Sequence, residues 1–165
     1  MTIDDALTKQ AFIVKLKFKN GVDELSKDLM VRIMKARIKL NKVRAEFDED
    51  LKNAVDGFQT DDFKELQAKE NRTEDEQTKF VELVNKINEE ANEYVLARVR
   101  DEAKDVDDIV FTEDEFNEII PVNADIEADI NGTKLVGPDF LEAIHSVFVK
   151  DATVPEDNVT SPKDM

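Results

Sequence analysis

The spacing of apolar residues changes period along this chain. Residues 11–19 read Ala-Phe-Ile-Val-Lys-Leu-Lys-Phe-Lys, with Phe12, Val14, Leu16 and Phe18 alternating with Ile13, Lys15, Lys17 and Lys19. A period of two with one apolar face predicts a strand. Lysines on its other face suit an exposed side or a guarded edge. Asn20-Gly21 then predicts a turn.

The period shifts to a helical one after the turn. Leu29, Ile33, Ala36, Leu40, Val43 and Phe47 are separated by four and three residues in alternation, the seam of a heptad repeat. A helix is expected from about Ser26, its N-cap (Asp23 competes for that role), to Val55, with Gly57 as the stop. Leu51 follows Phe47 by four instead of three, so the seam drifts there. Met30, Met34 and Ile38 widen the apolar stripe, which predicts burial on two sides. Thr60 can cap a short helix carrying Phe63 and Leu66, broken at Asn71-Arg72. Thr73-Glu74-Asp75-Glu76 has the form of a capping box and marks the start of a second long helix, expected to run to about Lys104. Its Phe80, Val84, Ile87, Ala91 and Tyr94 repeat the seam spacing. Two long helices with matched seams and a modest connector predict an antiparallel helical hairpin over 22–105.

The remaining sequence reads as smaller pieces. Ile109-Val110-Phe111 suggests a short strand. Thr112-Glu113-Asp114-Glu115 is a second capping box, opening a helix with Phe116, Ile119 and Ile120 that Pro121 ends. Ile126, Ala128 and Ile130 alternate with acids, Asn131-Gly132 predicts a tight hairpin turn, and Lys134-Leu135-Val136 returns. Pro138 fits the first turn of a last helix carrying Phe140, Leu141, Ile144 and Phe148. Residues 151–165 are polar, aperiodic and read as an extended tail. The expected fold class is therefore α+β and mostly α. A long antiparallel helical hairpin carries a small α+β unit at 106–150, with an N-terminal strand segment at 1–21 free to join its β-hairpin.

Composition narrows the chemistry. The 165 residues include no Cys and one His, so thiolate nucleophiles and Cys-based metal sites are excluded. No apolar run approaches the roughly 18 residues of a membrane span, and no membrane partner is expected. The three Asn-x-Thr or Asn-x-Ser sequons, at Asn71, Asn131 and Asn158, read as turn and cap residues. Asp129, Asn131 and Gly132 imitate part of a calcium loop, but aligning them puts Pro138 where a bidentate Glu is required. Glu142 and His145 share a helix face as a single Glu-x-x-His pair, whereas di-iron bundles need two such pairs. No phosphate-binding Gly loop or serine elbow is present. Neither a catalytic set nor a cofactor is expected.

Charge is divided unevenly. Residues 1–45 hold 11 Lys and Arg against 5 Asp and Glu, and residues 46–165 hold 12 against 34, giving the net −16. Within the basic part, Arg32, Lys35, Lys39 and Lys42 fall on one flank of the first long helix, with Arg37 and Arg44 on another. This stripe suits an acidic protein surface or nucleic acid. The ordinary alternative is pairing with acids of the second helix, such as Glu82, Glu89, Glu90 and Glu93. No aromatic residues interleave with the stripe, so single-strand stacking has no support, and direct nucleic-acid binding is not the expected use. The expected contact set is therefore Phe12, Val14, Leu16 and Phe18 on the strand, which could pair within the chain or between chains, and Arg32, Lys35, Lys39 and Lys42 on the helix.

The texture of the chain, with Phe-Thr-Glu-Asp-Glu-Phe at 111–116 and Ile-Asn-Gly-Thr-Lys-Leu at 130–135, resembles small structural proteins of tailed bacteriophages of the crAss-like type. The resemblance implies a non-enzymatic virion component in the head–tail connector, the capsid or the packaged cargo. Its expected partners are other virion or assembly proteins, with self-association as one alternative. Without the resemblance, the expected location is cytoplasmic. A different function class, an acidic regulatory or inhibitory binder that mimics nucleic acid, is suggested by the balance of −22 over 46–165.

Overall fold

The structure, a computed structural model, describes residues 1–15, 27–119, 127–130 and 132–149. Within them the chain is mostly helical with one small sheet: α1 (Ile3–Ile13), α2 (Lys27–Phe58), α3 (Asp61–Ala68), α4 (Glu74–Arg98), α5 (Glu113–Ile119), β1 (Glu127–Ile130), β2 (Thr133–Val136) and α6 (Pro138–Phe148). The α+β, mostly helical class is as expected.

The N-terminal strand is the main correction. Phe12 and Ile13 lie in the last turn of a helix, Val14 is its C-cap, and Lys15 follows in a turn. Leu16 and Phe18, with the Asn20-Gly21 turn and the Ser26 cap, lie outside the described residues. The helix starts at a capping box that the alternation further along obscured. Asp5 donates its backbone N–H to Thr2 Oγ1 (3.1 Å), and the Thr2 N–H returns to Asp5 Oδ2 (3.3 Å). From there Ile3, Ala6, Lys9, Phe12 and Ile13 fall on one buried helical face. Phe12 and Ile13 fit the helical period as well as the period of two, and the capped helix reaches them first.

The long seam folds as expected. Leu29, Ile33, Ala36, Leu40, Val43 and Phe47 are all buried along α2. The widened stripe is not: Met30 is half-buried, whereas Met34 is 51% and Ile38 61% exposed. Gly57 does not stop α2, which continues through Phe58 before Thr60 caps α3 with a bond from the Phe63 N–H (3.2 Å). The Thr73 capping box starts α4 as the sequence indicates.

The pairing of α2 with α4 is antiparallel: Gly57 and Phe58 lie beside Leu83, Ile87 and Glu90, while Asp50 reaches Arg98. α4 ends at Arg98, earlier than the expected Lys104, because the chain beyond it turns to meet the N-terminus. The Ile3 and Asp4 N–H groups donate to the carbonyls of Asp101 (2.8 Å) and Val99 (2.9 Å), and Ala103 N–H donates to the Met1 carbonyl (3.0 Å). The unpaired donors at the start of α1 thus meet free acceptors just past the end of α4. Asp105 then takes a positive φ of 58°, which a short polar side chain tolerates.

One hydrophobic core joins α1, the first two-thirds of α2, Phe111, α5, Ile130 and α6. Phenylalanine fills much of it. Phe12 lies against Phe140 with ring centroids 6.1 Å apart, and Phe111 against Phe148 at 5.5 Å. Phe111 forms an isolated parallel bridge to Val149, where a short strand over 109–111 was expected. The hairpin pairs β1 with β2 alone, in the register Ile130↔Thr133 to Glu127↔Val136, with Gly132 at φ +81° in the turn.

Candidate interaction surface

The first half of α2 presents three faces. Residues 29–45 carry six basic side chains and no acidic one. One face holds the buried seam. A second holds Arg32, Lys35, Lys39 and Lys42, all exposed. A third holds Met30, Met34 and Ile38.

The basic flank meets the 107–111 segment. Arg32, Lys35, Ala36 and Lys39 line one side of a cleft of about 230 Å³, with Asp107 to Phe111 on the other. Arg32 is committed there. It pairs with Glu115, donates to the Val110 carbonyl (2.9 Å) and lies 5.5 Å from the centroid of Phe111. Lys42 pairs loosely with Glu46, one turn on along α2, at 3.8 Å. Among the described residues, Lys35 and Lys39 form no ion pair. Among the described residues the stripe's ion-pair partners are thus Glu115 and Glu46, not the α4 acids that the spacing suggested.

Lys9 is the clamp that the sequence reading missed. It is only 8% exposed, yet its Nζ donates to Asp108 Oδ1 (2.9 Å) and to the Ile109 carbonyl (2.6 Å), above the Phe148 ring. A buried cation needs such partners. The available signal was its helical spacing from Ile3 and Ala6 behind the Thr2 cap.

The third face is a shallow, open hollow along α2 alone, lined by Met30, Val31, Ile33, Met34, Arg37, Ile38 and Asn41. Its lining is apolar apart from Arg37 and Asn41. Of the residues singled out on the expected strand, Phe12 is buried in this chain's own core and Val14 is half-buried at its edge. They do not join the basic flank in one surface.

The residues tested for chemistry are dispersed. His145 Nε2 lies 2.7 Å from Glu113 Oε1 and edge-on to Phe116, so its partner is on α5, not Glu142 on its own helix. Among the described residues, no group of three or more His, Asp or Glu side chains is placed to hold a metal. No helix among them is long and apolar enough to cross a membrane. No known protein family, curated protein or solved structure matches this chain.

Proposed function

We propose that this chain is a non-enzymatic structural or assembly protein that works through protein–protein contacts, as a component of a tailed-phage virion. The observation that supports contact is the outward face of α2. Met34 and Ile38 are more than half exposed on a helix whose opposite face is buried in the core. Two large apolar side chains left in water beside exposed cations offer a partner protein apolar area to bury and charges to pair.

The phage part of the reading rests on the sequence texture at 111–116 and 130–135. Both stretches also serve the fold: the first carries the Thr112–Glu115 capping box, with bonds of 3.0 and 3.1 Å, and the second the β-hairpin. Light scattering of the purified chain, alone and mixed with connector and capsid proteins, tests the proposal. Co-assembly with one of them, and recovery of the chain in purified virions, are the expected results. A monodisperse monomer that joins none of them and is missing from virions would overturn it.

A further inference from the structure

The hollow on α2 has a chemical signature that narrows its occupant. At about 100° per residue, Met30, Met34 and Ile38 span an arc of roughly 80°, and Lys27 and Asn41 project within the same arc. Lys35 and Lys42 fall on one flank of it, Arg37 and Arg44 on the other. Arg44 is partly engaged, with Gln10 at 3.4 Å and Asp48 at 3.9 Å. Arg37 forms no ion pair among the described residues and lines the hollow itself. The result is an apolar floor with cations on both sides, and no carboxylate on α2 between Leu29 and Ala45.

The geometry points to a docking site for an amphipathic helix with acidic flanks, supplied by a partner protein. This rests on reading the chain as a contact protein, and names the partner's chemistry. An apolar ridge at i, i+3 or i+4, and i+7 would pack along Met30, Met34 and Ile38 as one helix packs on another. Unbranched methionine side chains adapt to such a ridge. Carboxylates beside the ridge would face Arg37 on one side and Lys35 and Lys42 on the other, fixing its register and orientation. A second copy presenting the same face would oppose cations to cations. A nucleic acid would satisfy the cations but leave Met34 and Ile38 against phosphate.

Calorimetric titration of the full chain tests this, with two synthetic peptides of about five helical turns. Both carry the same leucine ridge, one with Glu and the other with Lys on its flanks. The Glu peptide should bind at least about tenfold more tightly, and lose affinity as salt rises. The exposed double substitution Met34→Glu, Ile38→Glu should weaken it by a similar factor while leaving the circular dichroism spectrum unchanged. Arg37→Glu should weaken it less and flatten the salt dependence. Equal binding of both peptides, or binding indifferent to Met34→Glu, Ile38→Glu, would overturn the proposal. So would a dimer of the chain alone that Ile38→Glu dissolves, or a short DNA duplex that competes the Glu peptide away. Light scattering with partner proteins does not depend on which surface they use. Co-assembly there with no peptide binding here condemns the docking site and spares the contact reading.

Discussion

Between Leu29 and Phe47 the seam of α2 lies in the phenylalanine-rich core with α1, α5 and α6. Beyond Leu51 the same helix faces α4, and Ala54, Val55 and Phe58 are only half-buried. Towards the far end of the hairpin Phe63, Leu66 and Ile87 are buried outside that core. There Phe63 stacks on Phe80 at 5.5 Å, and Arg72 covers the Phe80 ring at 3.9 Å. One helix thus passes from a region held by buried apolar volume to a region held by a thin layer, caps and ion pairs. Apolar spacing alone does not set how deeply a helix is buried; the number of elements that reach it does.

The comparison breaks most visibly at the well-filled end. Phe140 is fully buried against Phe12. Phe140→Ala should cost about 3–5 kcal/mol, a large share of a typical domain's stability. Urea unfolding followed by circular dichroism should show a matching fall in midpoint. A loss below about 1 kcal/mol would mean that this core is looser than its packing implies. At the thin end, Phe63→Ala removes a side chain that a two-helix layer can partly compensate. A cost of no more than about 3 kcal/mol is expected, confined to the tip. Hydrogen exchange should then accelerate in α3 and the start of α4 while amides of α1 and α6 keep their protection. Equal acceleration at both ends would show that the two regions unfold as one unit.

Lys9 sharpens the contrast because it fastens the core region by polar means. Lys9→Met keeps the stem but removes the bonds to Asp108 and the Ile109 carbonyl. Asp108 is well exposed and can hydrate, so the cost should be about 1–2 kcal/mol. Exchange at 107–111 should rise first. Unchanged exchange there would show that Arg32, through Glu115 and Val110, holds the segment by itself.

Most helices were legible in the sequence because their signals are local. The seam of α2 and the Thr60, Thr73 and Thr112 caps lie within a turn or two of what they define. One misreading was local and the others depended on distant partners. α1 was obscured by alternation at its end. α4 stops early because the Ile3 and Asp4 N–H groups take the carbonyls of Asp101 and Val99. Met34 and Ile38 were expected to be covered on a second side, but α4 pairs with the later part of α2 and carries a single seam. The basic flank was legible as a stripe, while its partner Glu115 was not, being 83 residues away.

The smallest expected effect lies at the hairpin tip, where charge carries more of the structure. A hydrogen bond from Lys69, reinforced by the Thr73 backbone N–H, holds the Glu76 carboxyl at about 2, below its ordinary 4.5. Lys69 is shifted upward by the same contact. The folded chain therefore keeps Glu76 ionised where the unfolded chain has begun to take up a proton. Its contribution is complete above 4.5, declines as the pH falls, and is gone below about 2. Because the pair is exposed to solvent, the change should be slight and should weaken in salt. A carboxyl-carbon NMR titration should find Glu76 well below the other glutamates, and Glu76→Gln should remove the acid dependence of amide protection at the start of α4. A Glu76 that titrates at its ordinary value would mean that neither Lys69 nor the Thr73 N–H engages its carboxylate, leaving the bond from the Glu76 N–H to the Thr73 hydroxyl to hold the tip with less polar support than its geometry suggests.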